Sequence, residues 1–226
     1  MPVAQPGQLW RWASRRIDAE SRQPEVYGPG VTAIVTSRLL LRPWRPDDLA
    51  QLTRLLGDPE VTRYIVLGEP FTPEDVAEVS ARTLEQWKRN GFGPWAAIEK
   101  QTGRWAGRIG LDELPDRPGP HKVEVGWELH REFWGRGLAT EGGRAGVRYG
   151  FETVGLDRII SATMASNAAS RRVMEKCGLR FQGELPMAGT VVAWYAIDRA
   201  DWQDASQPAA PGRTCRRLTR APGNPS

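Results

Sequence analysis

Cysteine, histidine and long apolar runs are all scarce in this chain of 226 residues, and each scarcity excludes a class of protein. The two cysteines, Cys177 and Cys215, are too few for a disulfide framework, so a reducing, cytoplasmic compartment is expected. The two histidines, His121 and His130, belong to no cluster with zinc spacing, so no metal is expected. No apolar run reaches the roughly eighteen residues of a membrane span, and residues 1–10 lack a signal core, so we expect neither membrane insertion nor export.

Positive charge is confined to one end of the chain. Residues 205–226 contain four arginines and no acidic residue, so the net charge of +4 belongs to this segment and residues 1–204 sum to zero. The segment is also rich in Pro, Ala, Gly and Ser, which predicts a disordered basic tail and argues against a nucleic-acid partner for the rest. Residues 1–30 read as an irregular extension, which leaves one domain over residues 31–204.

Apolar periodicity and capping residues divide that domain into alternating strands and helices. We predict strands at about 35–43, 94–100, 104–113, 122–129, 158–164, 179–184 and 190–198. We predict helices at about 49–56, 73–90, 138–154 and 168–177. Together they predict an α/β fold with a mixed, mostly antiparallel twisted sheet of about six to seven strands, about four helices and a parallel pair around a crossover helix.

A glycine turn between a strand and a helix is the most informative local feature. Val123–Leu129 alternates like a strand, and a helix is predicted from Leu138, with the segment Trp134–Thr140 between them. The N–H groups at the start of such a helix bind phosphate, and Gly135 and Gly137 let a pyrophosphate approach the backbone. The segment lacks the Lys-Ser/Thr end of a Walker A loop and the third glycine of a Rossmann fingerprint. It therefore indicates a phosphorylated cofactor of another kind.

Four motifs in order, spread over residues 36–202, resemble the GNAT superfamily of acyl-CoA N-acyltransferases. Their sequences are TSRLLLRPW with a following DD, EVGW, WGRGLATE and NAASRRVMEKCGL, which begin at Thr36, Glu124, Trp134 and Asn167. The branch they resemble contains the ribosomal-protein N-terminal acetyltransferases. The resemblance implies a single GNAT domain that uses acetyl-CoA.

The resemblance also implies a set of cofactor-binding residues. The pyrophosphate would be bound by the loop residues Trp134, Gly135, Arg136, Gly137, Leu138, Ala139 and Thr140. In the family the strand before the loop splays from its neighbour at a bulge, so a backbone N–H near Leu129 would polarise the thioester carbonyl. The Asn167 amide could bond the pantetheine, although the same residue suits a helix cap. Arg136 could contact a phosphate or be an ordinary solvated arginine.

The catalytic candidates are two glutamates and a serine. Glu124 and Glu128 alternate onto one face of their strand, where paired carboxylates can raise one another's pKa toward that of a useful base; either could also be structural. Many family members donate a proton to the thiolate from a tyrosine, but Met174 stands at that position. Ser170 would serve instead, or would be an ordinary hydroxyl of a helix's first turn. Cys177 is expected in the core rather than as a nucleophile.

The expected activity is therefore direct acetyl transfer from acetyl-CoA to a primary amine, by a monomer or homodimer. The acceptor could be a protein N-terminus, a small amine or an aminoglycoside-like antibiotic, and a non-catalytic acyl-CoA sensor stays an alternative. Most of the ten tryptophans are expected to pack in the core or at its rim. Four of them fall on segments that line the acceptor cleft in the family and could instead form an apolar slot: Trp44, Trp87, Trp95 and Trp127.

Overall fold

The computed structural model describes residues 33–65, 69–114, 120–187 and 189–206. The predicted extension over 1–30 and nearly all of the predicted basic tail over 205–226 lie outside these residues, so both stay predictions. Among the described residues, no helix is long and apolar enough to cross a membrane.

Within the described residues, eight strands form one sheet in the order β1-β2-β3-β4-β5-β6-β8-β7. The strands are β1 Ile34–Val35, β2 Leu39–Arg42, β3 Pro94–Glu99, β4 Trp105–Glu113, β5 Val123–Leu129, β6 Arg158–Met164, β7 Arg180–Met187 and β8 Thr190–Asp198. The helices are α1 Leu49–Leu56, α2 Pro59–Thr62, α3 Pro73–Asn90, α4 Leu138–Tyr149, α5 Ala168–Lys176 and α6 Arg199–Ser206. Neighbouring strands are antiparallel except β5 and β6, which are joined through α4 and run parallel. The predicted fold class is confirmed. The described part of the chain has eight strands where about six to seven were predicted, and six α-helices where about four were predicted.

The first predicted strand is in fact a hairpin of β1 and β2. The turn is fixed by Thr36, whose N–H donates to the Leu39 carbonyl at 2.9 Å. The Leu39 N–H donates back to the Thr36 hydroxyl oxygen at 2.9 Å. Because this turn contains neither glycine nor proline, the sequence carries no ordinary turn signal there.

Local capping residues set the ends of α3 as predicted. The Thr72 hydroxyl and the Asp75 carboxylate form a reciprocal capping box around Pro73, and Gly91 ends the helix with a φ of 70°. The start of α1 differs from the expectation that Asp47 or Asp48 caps this helix. Asp48 precedes it, but its carboxylate accepts from the Arg42 guanidinium and the Arg45 N–H rather than from a helical N–H.

Two glycines, Gly142 and Gly143, let α4 lie close against the sheet and α5, and Gly146 adds an ordinary contact. A Cβ at Gly142 would fall 2.6 Å from Ile109, and one at Gly143 would fall 2.8 Å from the Cys177 sulfur. A Cβ at Gly146 would lie 3.4 Å from Val125. The helix therefore packs against the odd-numbered side chains of the sheet, and this close approach fixes where its N-terminus points.

Three of the four tryptophans that could have formed an apolar slot pack in the core, as was expected of most of the ten. Trp44, Trp87 and Trp95 are at most 1% exposed and belong to the hydrophobic core. The indole N–H of Trp44 donates to Ser80 and that of Trp87 donates to the Pro94 carbonyl. Trp127 lies under α4, 3.2 Å from where a Gly143 Cβ would be. These indoles stabilise the fold instead of lining a cleft.

Candidate cofactor and acceptor site

A gap opens between β5 and β6 because side chains replace the backbone partners of the two strands. The strands pair at Glu124 and Ile160. One residue pair further on, the Ala162 N–H donates to the Glu124 carboxylate at 2.9 Å, and the Ser161 hydroxyl donates to the Val125 carbonyl at 2.8 Å. Both backbone groups would otherwise continue the ladder. The gap therefore widens from this point toward the carboxyl ends of both strands.

The expected bulge in β5 is absent. The register of β5 against β4 runs without a shift from Val123 opposite Glu113 to Leu129 opposite Gly107. The splay therefore arises from the Glu124 and Ser161 side chains and not from a bulge against β4.

The backbone of Leu129 faces the gap. The His130 N–H donates to the Ala106 carbonyl at 2.9 Å, which makes Leu129 and Gly107 a pair without mutual hydrogen bonds. The N–H and carbonyl of Leu129 consequently point away from β4 and toward β6. The carbonyl accepts from the Trp134 indole at 2.7 Å. The N–H is oriented as a donor to an oxygen held in the gap.

The loop at the end of β5 has the backbone conformation that the sequence predicted. Gly135 and Gly137 have φ angles of 70° and 76°, in the region that favours glycine. Gly137 is the N-cap of α4 and provides no side-chain cap. The first N–H groups of α4, those of Leu138, Ala139 and Thr140, therefore have no intrahelical acceptor and lie at the positive end of the helix dipole.

Arg136 is engaged with the sheet. Its guanidinium is hydrogen-bonded to the Glu99 carboxylate, which is almost fully buried at the end of β3. Hydrogen bonds from Thr102 and from Arg136 lower the pKa of Glu99 despite its partial desolvation. The side chain of Arg136 thus has a structural partner that the sequence did not indicate, while its backbone stays part of the loop.

An arginine lies beside one of the two candidate glutamates. Glu128 accepts hydrogen bonds from Arg108 at 3.0 and 3.4 Å, and Asp112 lies 3.6 Å from the same guanidinium. Burial disfavours the Arg108 charge, yet Glu128 and Asp112 together raise the pKa of Arg108 above its ordinary value. Glu124 and Glu128 were expected to act mainly on one another's pKa. That expectation left out Arg108, which holds Glu128 in an ion pair.

His130 is the residue that sequence reasoning missed. It continues the alternation of Glu124 and Glu128 by one further step and lines an open cleft of about 610 Å³ with Asp58, Glu132 and Trp134. Its Nε2 is buried without a hydrogen bond within the described residues, and its ring meets the Trp105 ring edge-on at 5.6 Å. The sequence signal that could have identified His130 is its position two residues after Glu128, which continues the alternation along β5.

Several charged groups surround the His130 ring. Burial, and then the charge of Arg54, lower the pKa of His130. Glu132 and Asp58 oppose that shift, and Arg104 adds to it. Since the ordinary value is about 6.5, the imidazole is neutral at pH 7 and keeps a lone pair.

The start of α5 carries the other two predicted residues. The Asn167 amide oxygen accepts from the Ser170 N–H at 3.1 Å, so Asn167 caps the helix, and its amide nitrogen donates to Thr163 at 3.0 Å. Ser170 is half-buried in the first turn. Met174 is buried at the position where a proton-donating tyrosine was sought.

Cys177 is a core residue. Its thiol is buried, and burial raises its pKa to about 12. The sulfur lies 3.7 Å from the Thr140 carbonyl, between α5 and the first turn of α4. A thiol that stays protonated at neutral pH is a poor nucleophile.

Comparisons with known proteins agree with this geometry. The family model of the acetyltransferase (GNAT) domain matches residues 38–180 of this chain. An FsC-acetyl coenzyme A-N(2)-transacetylase from Aspergillus fumigatus is 32% identical over 193 residues, which cover 77% of this chain and 79% of that protein. A GNAT-family acetyltransferase from Bacillus anthracis is 27% identical, with a TM-score of 0.63 over 75% of this chain and 99% of that one. A ribosomal-protein-S5-alanine acetyltransferase from Vibrio fischeri, 18% identical, shares the fold with a TM-score of 0.61 over 76% of this chain and 98% of that one.

Proposed function

The chain belongs to the GNAT acetyltransferase family, and from that membership we propose that it moves an acetyl group from acetyl-CoA directly to a primary amine within a ternary complex. The observation that carries this proposal is the position of the loop over residues 134–140, which follows β5 at the end where that strand separates from β6. The first N–H groups of α4 have no intrahelical acceptor, and the Leu129 N–H at the end of β5 points away from β4 and toward β6. In acetyl-CoA, the pyrophosphate and the thioester lie at opposite ends of the pantetheine arm. A site for this molecule therefore needs hydrogen-bond donors at two separate places, one for each group.

The Leu129 N–H would stabilise the negative charge that develops on the thioester oxygen when the amine attacks the carbonyl carbon. A C–N bond forms and the C–S bond breaks. The amine nitrogen loses a proton, and the departing thiolate gains one. Asn167, already fixed as a cap, would offer its amide to the pantetheine arm.

We propose His130 as the first proton acceptor, with Glu124 and Glu128 as the other candidates on the same face. His130 is neutral at pH 7 and lines the open cleft, whereas Glu128 is paired with Arg108. Glu124 accepts the Ala162 N–H, which gives its carboxylate a role in holding the strands apart.

Ser170 is the proposed donor to the thiolate. The change Ser170→Ala is expected to lower turnover severalfold with little change in acetyl-CoA affinity, because the hydroxyl would act on the leaving group and not on the bound cofactor. Parallel measurements of kcat and of the dissociation constant check this, and an unchanged kcat would remove Ser170 from the mechanism.

For the acceptor we propose a small molecule with a primary amine, and a protein N-terminus as the second candidate. The A. fumigatus relative is named for transfer to an N(2) nitrogen of FsC, which supports a small amine. The cleft beside His130 carries charges of both signs, with Arg131 beside Asp58 and Glu132, and Glu132 is also paired with Arg104, so its charge selects no class of amine.

The test is thiol release from acetyl-CoA across polyamines, aminoglycosides and N-terminal peptides, with His130→Gln, Glu124→Gln and Glu128→Gln variants. Turnover on one class that falls in a variant at unchanged acetyl-CoA affinity would support the transfer mechanism and identify the acceptor. Tight acetyl-CoA binding without turnover on any class would favour a sensor over an enzyme.

A further inference from the structure

Arg38, in the turn between β1 and β2, reaches across to the loop over residues 134–140. Its Nε donates to one Glu141 carboxylate oxygen at 2.7 Å, and its backbone N–H donates to the other at 2.6 Å. Its Nη1 donates to the Arg136 carbonyl, within the loop, at 2.6 Å. One side chain thus joins the hairpin, the loop and the first turn of α4.

Glu141 is held as a carboxylate for this contact. The Thr36 hydroxyl donates to it at 2.6 Å, in addition to the two bonds from Arg38. Partial burial opposes ionisation, but the hydrogen bonds from Thr36 and Arg38 lower the pKa of Glu141 below its ordinary value. The position of the guanidinium is therefore fixed by an ionised partner from the same helix that begins at the loop.

The third guanidinium nitrogen faces the loop glycine. Nη2 of Arg38 lies 3.5 Å from the position that a Gly137 Cβ would take, in otherwise open space. The Arg38 side chain is 49% exposed, so this edge of the guanidinium is accessible to a ligand. Gly137 is also the N-cap of α4, where the N–H groups without intrahelical acceptors converge.

We infer that Arg38 binds a pyrophosphate oxygen of acetyl-CoA through Nη2, and that Glu141 is its positioning residue. Two of the three guanidinium nitrogens are held by protein acceptors, so the third is presented in a fixed orientation beside the helix N-terminus. A positive charge there adds to the attraction of the backbone N–H groups for the phosphates. Arg38 supplies the charged contact that Arg136, paired with Glu99, does not. This inference deepens the cofactor part of the proposed function and rests on it.

Calorimetric binding of acetyl-CoA to the full chain tests the inference without reference to turnover. We expect Arg38→Met to weaken acetyl-CoA binding about 10-fold or more, as the loss of a charge-assisted hydrogen bond would. Arg38→Lys should retain part of the affinity, because it keeps the charge but loses the fixed fork. Glu141→Gln should weaken binding less than Arg38→Met, since the guanidinium is then misplaced but still present.

The matched control is Arg180→Met, which removes another exposed arginine from an ion pair, 3.1 Å from Asp201, on β7 and α6. Its acetyl-CoA affinity should stay within twofold of the parent chain. Thermal melting of the ligand-free variants separates a lost ligand contact from a loosened loop. If Arg38→Met binds within twofold of the parent, or loses affinity only in step with Glu141→Gln and with the melting temperature, Arg38 is a brace and the inference is overturned.

The binding assay also separates this inference from the proposed function. A parent chain that binds acetyl-CoA but transfers to no amine would contradict the function, and the Arg38 variants would still be judged by their dissociation constants. A parent chain that transfers normally, with Arg38→Met binding unchanged, would contradict the inference and leave the function intact.

Discussion

At the scale of single residues, the proposed transfer needs a base with a lone pair beside the amine, and we propose His130 for that role. Burial and the charge of Arg54 lower the pKa of His130 below its ordinary value of about 6.5, which favours the neutral imidazole at pH 7. An acceptor amine of pKa about 7.7–8.0 must also lose its proton before it attacks. At low pH, both the His130 imidazolium and the acceptor ammonium must then lose a proton, whereas at neutral pH only the ammonium must.

This gives the first prediction, on the pH dependence of kcat/KM. In the parent chain, log kcat/KM should rise with a slope of 2 below the His130 pKa and with a slope of 1 between that pKa and the pKa of the amine. In His130→Gln the steeper limb should disappear, and kcat/KM at neutral pH should fall about 10²-fold or more. His121→Gln, at an exposed site, is the control and should keep both limbs. A steep limb that survives in His130→Gln would assign the proton to another group.

The second residue-scale prediction concerns Gly137. Its φ of 76° makes any side chain strained there, by roughly 1–2 kcal/mol. Gly91 has nearly the same φ of 70° and equally open surroundings, but it ends α3 away from the loop. Both Gly137→Ala and Gly91→Ala should therefore lower stability by similar amounts.

Only Gly137→Ala should also weaken acetyl-CoA binding, by about 10-fold or more, because its Cβ lies between Arg38 and the N-terminus of α4. Denaturation curves and calorimetry on the two variants measure the two effects separately. Equal acetyl-CoA affinities in both variants would contradict the assignment of the pyrophosphate to this loop.

At the scale of the elements, the separation of β5 from β6 depends on two side chains that lie on neighbouring strands. Ser161 is buried, and its hydroxyl satisfies the Val125 carbonyl. The change Ser161→Ala should lower the free energy of unfolding by about 1–3 kcal/mol, because a buried carbonyl loses its donor. Ser166→Ala, at an exposed position after β6, is the control.

Ser161→Ala should also raise the KM for acetyl-CoA if β5 and β6 close partly in response. Glu124→Gln provides the contrasting case, since a glutamine can still accept the Ala162 N–H and should keep the stability. A Ser161→Ala variant as stable as the parent would mean that the gap is maintained by packing alone.

The elements show which parts of the fold the sequence could predict. Thr72, Pro73 and Gly91 act on the chain immediately beside them, and the bounds of α3 followed from them. The hairpin at Thr36 was missed because its turn is closed by a threonine hydroxyl in place of a glycine. The splay was expected from the family resemblance, but its cause, two side chains in place of a bulge, depends on contacts between residues that are 36 and 38 positions apart.

At the scale of the whole molecule, the same distinction applies to the site. The loop glycines and the helix start were predictable because they form one local sequence. The partners of the charged groups were not, since Arg38 and Glu141 are 103 residues apart and Arg136 and Glu99 are 37 apart. The sequence therefore indicated which backbone is the candidate for binding the cofactor, and the fold determines which arginine lies beside it.

Trp95 connects this site to the rest of the molecule. Its ring contacts Trp87 of α3 at 5.6 Å and Tyr149 of α4 at 5.1 Å, both edge-on. A Cβ at Gly110, on the neighbouring strand, would fall 2.6 Å from the same ring. The indole therefore joins β3 and β4 to two helices, one of which begins at the phosphate loop.

The change Trp95→Ala should accordingly lower the free energy of unfolding by about 3–5 kcal/mol, a large part of the 5–15 kcal/mol typical of a domain. Leu185→Ala, at a position that is 50% exposed, should change it by no more than about 0.5 kcal/mol. Urea denaturation measures both. If Trp95→Ala keeps the binding site, saturating acetyl-CoA should raise its free energy of unfolding by as much as it raises that of the parent chain. A variant that acetyl-CoA does not stabilise would mean that the damaged core no longer holds the N-terminus of α4 in its binding position.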